Sequence, residues 1–233
     1  MENCFYYRSL WVVCIMTLLL SCSTDNKDVG MNENQLEMIS IGKEVGRLHN
    51  ACLDVIYNDF TGEGISRSIA DEAIKNRFLA SVNKFIKMNS EATRTDFVDV
   101  EITMDSVDKT IEEIKATLSV REKFYIDKAL SLDMSNSDLV NNLLIEISTD
   151  QDLMNKQAVI CFVTVLEAST HYWNSHIEEW QQMLDKPVTR VNWGTVATFD
   201  AWYGYQAMLV SVMNPIVSGG TVAFASGLAA VFS

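Results

Sequence analysis

The feature that most limits how this chain can fold is the helical spacing of its apolar residues, which only two prolines interrupt, Pro187 and Pro215. A first helix is expected from about Asn34, because apolar residues recur there in alternating steps of three and four. One stripe along this helix then carries Met38, Ile41, Val45, Leu48, Cys52 and Val55. The pattern predicts an all-α fold.

Later segments follow the same pattern. After a break at residues 61–64, Ser66 or Ser68 can cap a second helix with the apolar positions Ile69, Ala73, Phe78, Val82 and Phe85. Residues 89–104 form the weakest helical stretch and are interpreted as a loop. Ser119 and Glu122 have the spacing of a capping box, and Ser137 is expected to cap a further helix.

The longest helix is expected between Asp150 and Leu184, because no helix breaker occurs there. Its middle, residues 158–166, is apolar nearly all round, which is typical of the central helix of a bundle. A last helical region is expected from about Trp193 to Met213, followed by an apolar segment to Phe232. The sequence thus predicts a helical bundle with one long central helix.

The C-terminal residues 201–233 carry no charged side chain. Pro215 and Gly219-Gly220 are expected to divide this tail into pieces of about 13 residues, whereas a membrane span needs about 20. Gly219, Ala223 and Gly227 fall four apart and would let another backbone approach closely. A hydrophobic helical hairpin buried inside the domain is therefore favoured over a hairpin that inserts into a membrane.

The start of the chain has the pattern of an export signal. Residues 10–20 are apolar apart from Thr17, a length typical of a signal-peptide core and too short to span a bilayer. Leu19-Leu20-Ser21-Cys22 follows and resembles the lipobox of bacterial lipoproteins. The resemblance implies a signal peptide over residues 1–21 and lipidation of Cys22 with long acyl chains such as palmitate. Residues 22–33 are then a flexible acidic tether, and residues 34–233 a single helical domain.

Charge and cysteine content limit the function classes. The formal net charge is −13, and removal of residues 1–21 leaves it unchanged because Arg8 and Glu2 leave together. Such an acidic chain is not expected to bind nucleic acid or to adsorb to anionic headgroups. Cys52 and Cys161 would remain besides the acylated cysteine, either as a disulfide or as two buried thiols.

Few residues suggest chemistry. Glu167 and His171 share a helix face, but His176 points elsewhere, so a metal would need a ligand from another part of the chain. Asp200 can be a carboxylate in an apolar pocket, a helix-surface charge, or a hydrogen-bond partner of Trp193 or a tyrosine. The sequence therefore assigns no catalytic, cofactor-binding or metal-binding residue.

Aromatic residues concentrate just before the uncharged tail. The cluster comprises Tyr172, Trp173, Trp180, Trp193, Phe199, Trp202, Tyr203 and Tyr205. Such a surface can stack on sugars or lie at a membrane interface. Aromatic residues at helical spacing more often hold helices together, and that interpretation is favoured.

Taken together, the lipobox, the pair Tyr172-Trp173, and Trp193 followed by Asp200-Ala201 and a small-residue tail resemble uncharacterised lipoproteins of Bacteroidota. The resemblance covers the signal and about residues 160–233, and it implies no reaction or ligand. We expect a non-enzymatic cell-envelope lipoprotein held in the outer membrane by its lipid, acting as a helical accessory module for a protein partner. Which face of that membrane it occupies is left open. The alternative is a membrane-active, pore-forming or bacteriocin-like protein that uses residues 201–233.

Overall fold

The computed structural model describes residues 31–61, 71–93, 111–184, 193–210 and 214–232. Every regular element within these ranges is a helix, so the expected all-α fold is confirmed. The helices are α1 Glu33–Thr61, α2 Asp71–Thr93, α3 Ile111–Thr117, α4 Val120–Leu130, α5 Ser137–Thr149, α6 Lys156–Leu184, α7 Trp193–Val210 and α8 Pro215–Phe232. The expected signal, the Cys22 anchor, most of the tether and the Ser66 or Ser68 cap lie outside the described residues. So do residues 94–104 of the expected 89–104 loop, whereas its first residues are helical because α2 continues to Thr93.

Four long helices, α1, α6, α7 and α8, pack against one another and form the core of the bundle. The other helices of the described residues lie around them: α2 against α8 and α1, α3 against α7, and α4 and α5 against α6. All residues from Ala158 to Leu166 are buried, which confirms α6 as the central helix. Cys52 and Cys161 are buried free thiols, and burial raises the pKa of both.

The uncharged tail forms a helical hairpin, α7 and α8, that is part of the core. Gly219-Gly220 does not divide the tail as expected, because α8 runs through both glycines without a break. The positions from Ile216 to Gly220 and from Val222 to Gly227 are buried against α1, α2 and α7. Within the described ranges, no helix combines the length and the hydropathy that a membrane span requires.

Glycine lets α8 lie directly on the backbone of α1. A Cβ atom at Gly219 would stand 2.8 Å from Leu48 Cβ, 3.0 Å from the His49 nitrogen and 3.1 Å from the Val45 carbonyl oxygen. The small-residue face of the tail thus serves a tight contact between two helices of the same bundle.

Two helix boundaries differ from the expected ones. Asn136, not Ser137, caps α5, since its side-chain oxygen accepts from the backbone nitrogens of Asp138 and Leu139. The central helix begins at Lys156, not at Asp150, which instead ends α5 and accepts from the nitrogen of Asp152 at 2.9 Å. Side chains that bond their own backbone set both boundaries. The capping box of Ser119 and Glu122 is confirmed.

Asp150 joins α4 to the turn before α6. Its Oδ2 atom accepts from Arg121 Nε at 2.5 Å and from the Tyr125 hydroxyl at 2.7 Å. The Arg121 contact, helped by Tyr125, lowers the pKa of Asp150 to about 2, and burial beside the carboxylate raises that of Tyr125 to about 12.

Low pH should weaken the contacts of Asp150 with Arg121 and Tyr125. Because the folded pKa of Asp150 lies below its unfolded value of about 3.9, its contribution to stability is complete above about pH 4 and is lost as pH falls toward 2. We expect Asp150→Asn to reduce the loss of stability between pH 5 and pH 3, as measured by urea unfolding at each pH. The exposed Asp127→Asn is the control and should leave the slope as in the wild type. An unchanged slope in Asp150→Asn would contradict the assignment.

Candidate functional site

Asp200, which directly precedes the uncharged tail, lies at the centre of the bundle. Its side chain is fully buried, so the interpretation as a helix-surface charge is wrong. Its Oδ2 atom accepts from the hydroxyl of Ser169, from Trp173 Nε1 at 3.1 Å and from the Ser226 hydroxyl at 2.9 Å. An indole partner of Asp200 is therefore Trp173 of α6, while the side chain of Trp193, one of the partners considered from the sequence, lies outside the described residues.

A buried histidine completes this cluster. His49 Nε2 lies 3.5 Å from Asp200 Oδ2, and its other ring nitrogen lies 2.8 Å from Asn50 Oδ1. Asn50 in turn donates to the Ala168 carbonyl at 3.1 Å. We call His49, Ser169, Trp173, Asp200 and Ser226 the buried polar cluster. It takes side chains from α1, α6, α7 and α8, so it joins all four core helices at one point.

The geometry of the buried polar cluster suits a structural joint better than nucleophilic catalysis. A serine nucleophile needs a hydrogen bond to a base that removes its proton. Here both serine hydroxyls donate to the carboxylate and not to the imidazole. Each member is also enclosed, with no more than 1% of its surface exposed. Burying a carboxylate is costly unless it is hydrogen-bonded, and three donors offset this cost at Oδ2. Among the described residues, Asp200 Oδ1 and His49 Nε2 are buried without a hydrogen-bond partner.

Sequence reasoning missed His49 and the two serines of the buried polar cluster. His49 directly follows Leu48 on the apolar stripe of α1, which was the available signal for a buried imidazole. Ser169 and Ser226 carried no signal, because an isolated serine in an apolar helix has many ordinary positions.

The two histidines of α6 have different surroundings. His171 is exposed, whereas the ring of His176 stacks on that of Tyr172 with 4.3 Å between centroids. Glu167 is half-buried, and burial raises its pKa. Among the residues that the structure describes, no three His, Cys, Asp or Glu side chains are grouped as metal ligands.

The aromatic residues of α6 hold it against α1, as the favoured interpretation expected. The Trp173 and Trp180 rings meet edge to face at 5.2 Å, and Trp180 also contacts the ring of Tyr57 in α1. Trp180 Nε1 donates to the Tyr172 hydroxyl, which itself donates to Asp54 of α1 at 3.1 Å.

A second buried carboxylate, Glu122, anchors α7 from the opposite side. Its Oε1 atom accepts from the Tyr205 hydroxyl at 2.8 Å and from Asn155 Nδ2 at 2.7 Å, while Oε2 accepts from the Ser119 nitrogen. Burial alone would raise the pKa of Glu122, but these donors, Ser119 foremost, lower it below its usual range. The capping box is therefore also a tertiary contact.

The accessible feature of this region is a groove of about 690 Å³ between α3 and α7, called the α3–α7 groove. Its apolar lining comprises Ile111, Phe199, Trp202 and Tyr203, and its polar lining comprises Glu112, Lys115, Thr195 and Thr198. Phe199 is 38% exposed, while Trp202 is almost buried beneath the ammonium of Lys115, 5.7 Å from the ring centroid. Unlike the buried polar cluster, this surface can meet a ligand from solvent.

No protein-family model matches this chain, and no curated protein and no solved structure is significantly similar to it.

Proposed function

We propose that this protein is a cell-envelope lipoprotein whose helical body acts as a non-enzymatic binding module. In this proposal residues 1–21 are removed on export, and acylated Cys22 holds the chain in the outer membrane. Several acyl chains, at about 0.8 kcal/mol for each buried CH₂, are enough for a stable anchor. The observation that carries the proposal is the sequence Leu19-Leu20-Ser21-Cys22 directly after an apolar run of signal-peptide length.

The arrangement of polar groups supports a binding role for the body. The side chains with reactive potential, Asp200, His49 and Glu122, are bonded within the bundle and hold helices together. The α3–α7 groove presents rings and hydroxyls to solvent instead. Concave surfaces lined by apolar and aromatic side chains with a few polar groups are typical of binding sites.

The anchor is tested by replacing Cys22 with Ala in the native host and labelling cells with a clickable palmitate analogue. We expect Cys22→Ala to lose essentially all of the label and to leave the membrane fraction, because Cys22 is the cysteine that follows the lipobox residues and the thiols of Cys52 and Cys161 are buried. Cys14→Ala is the matched control, since it changes a cysteine within the segment that is removed, and it should keep both the label and the membrane location. Undiminished label on Cys22→Ala would end the proposal.

The membrane-active alternative rests on the uncharged residues 201–233. For those residues to enter a bilayer, α7 and α8 would have to leave the packing that buries Gly219 on α1 and Asp200 among its donors. That cost favours the binding module. Rapid dye leakage from vesicles treated with the purified protein would reverse this preference.

A further inference from the structure

We propose that the α3–α7 groove binds an uncharged saccharide, an inference that rests on the binding role proposed above and names its ligand class. The volume of about 690 Å³ lies inside the range of about 300–1,000 Å³ that small-molecule sites occupy. Three further properties of the groove point to this class of ligand: its exposed rings, its hydroxyl and charged rim, and its electrostatic balance.

The rings of Phe199 and Tyr203 form a surface on which a sugar ring can stack. Phe199 and Tyr203 lie one helical turn apart on α7 and both line the groove. A helix as apolar as α7 is normally buried on every side, yet Phe199 keeps 38% of its surface exposed. The faces of aromatic rings carry negative charge density and attract weakly positive C–H groups. The C–H faces of pyranose rings meet that requirement.

The rim supplies hydrogen-bonding groups of both kinds. Thr195 and Thr198 lie on the same side of α7, and the Thr198 hydroxyl donates to the Gly194 carbonyl at 2.9 Å, which leaves its oxygen able to accept from a ligand. Across the groove, Glu112 can accept and Lys115 can donate. A purely apolar ligand would strip water from these groups without replacing it, which is unfavourable. A ligand with many hydroxyls replaces that water.

The charges of the groove favour a neutral ligand. Lys115 Nζ lies 2.9 Å from Glu112 Oε1, so the two charges of the rim largely cancel. The net charge of −13 over the whole chain opposes an anionic ligand, and Lys115 above the Trp202 ring opposes a cationic one. Rings, hydroxyl partners and neutrality together match a saccharide better than a lipid, a nucleotide or an amine.

The test is calorimetric titration of the full-length protein, purified in a detergent without a sugar headgroup, against neutral gluco-, xylo-, manno- and N-acetylglucosamine oligosaccharides. We expect at least one series to bind with a dissociation constant of about 0.1–1 mM. Phe199→Ala should weaken that binding about tenfold. Thr198→Val, which keeps the shape and removes the hydroxyl, should weaken it by about fivefold.

Leu209→Ala is the matched control, because Leu209 is 46% exposed on the same helix but does not line the groove. It should bind the saccharide as the wild type does. The inference is overturned if no oligosaccharide binds, if Phe199→Ala and Leu209→Ala bind alike, or if a hydroxyl-free aromatic compound or a purified protein occupies the groove more tightly with the same dependence on Phe199. None of these results affects the lipid label on Cys22, so the proposed function fails or stands separately.

Discussion

Replacing Asp200 with Ala is expected to lower the free energy of unfolding by about 3–5 kcal/mol, the usual cost of removing one partner from a buried charged contact. The carboxylate is the shared acceptor of Ser169, Trp173 and Ser226 and lies beside His49. Without it, three donors from two helices, α6 and α8, lose their partner in a region closed to water. Urea unfolding followed by circular dichroism, with the purified protein at pH 7, measures the difference.

Two variants show whether this loss comes from the buried polar cluster. Asp200→Asn keeps the shape and can place its amide oxygen where the three donors meet, with its NH2 at the Oδ1 position, for which the described residues offer no hydrogen-bond partner. It loses only the negative charge that strengthens these hydrogen bonds, so we expect an intermediate loss of about 1–3 kcal/mol. Asp127→Ala removes an exposed carboxylate from α4 and should change stability by no more than about 0.5 kcal/mol. If Asp200→Ala were as stable as Asp127→Ala, the cluster would not be the joint described above.

The local sequence pattern was sufficient to predict the helices but not the polar contacts between them. The stripe of α1 correctly placed Val45, Leu48 and Cys52 in the core, because helical periodicity depends on near neighbours alone. The partner of Asp200 depended instead on which helices meet. Trp173 lies 27 residues before it and Ser226 lies 26 residues after it, and no spacing rule connects them.

The two incorrect expectations about helix continuity have the same origin. No glycine or proline marks the turn before α6, where Asp150 accepts from the Asp152 nitrogen and is held in place by Arg121 and Tyr125. Conversely, Gly219-Gly220 looked like a break but lies inside α8. There the close approach to α1 and α2 offsets the intrinsic cost of glycine in a helix, about 1 kcal/mol per residue. Tertiary contacts decided both cases.

The candidate groove was only partly visible in the sequence. The aromatic cluster around residues 172–205 was evident, but periodicity did not separate the buried rings of Trp173 and Trp180 from the exposed ring of Phe199. Trp180 packs on Tyr57 of α1 and Trp173 bonds Asp200 of α7, whereas Phe199 lines the groove beside α3, a helix of seven residues that supplies Lys115 and Glu112 to the rim.

The contact between α1 and α8 leads to the second large effect: Gly219→Ala should lower the free energy of unfolding by about 2–3 kcal/mol. Alanine is the better helix former by about 1 kcal/mol, so propensity alone predicts the opposite sign. The added methyl would meet the His49 nitrogen at 3.0 Å and the Val45 carbonyl oxygen at 3.1 Å, and these backbone atoms cannot rotate away. The helices must move apart instead.

The adjacent glycine offers a matched control. A Cβ atom at Gly220 would stand 2.8 Å from Ile86 Cδ1, 2.9 Å from Ile86 Cγ1 and 3.3 Å from Val82 Cγ1. All three are side-chain atoms, which a rotamer change can move, and none belongs to the backbone. Gly220→Ala should therefore cost about 1 kcal/mol less than Gly219→Ala, measured by the same urea titration. Equal losses in the two variants would mean that α8 tolerates displacement from α1, contrary to the close contact described here.

A double-mutant cycle then links this contact to the buried polar cluster. Ser226 lies two helical turns after Gly219 on α8, and the same packing against α1 holds its hydroxyl 2.9 Å from Asp200. If the Gly219 methyl displaces α8, it weakens that hydrogen bond, so Gly219→Ala and Asp200→Ala together should cost about 0.5–2 kcal/mol less than the sum of the single losses. Full additivity would mean that the glycine contact and the cluster are independent. A coupling of the expected sign would establish that the tail without charge is held in place by Asp200, the carboxylate directly before it.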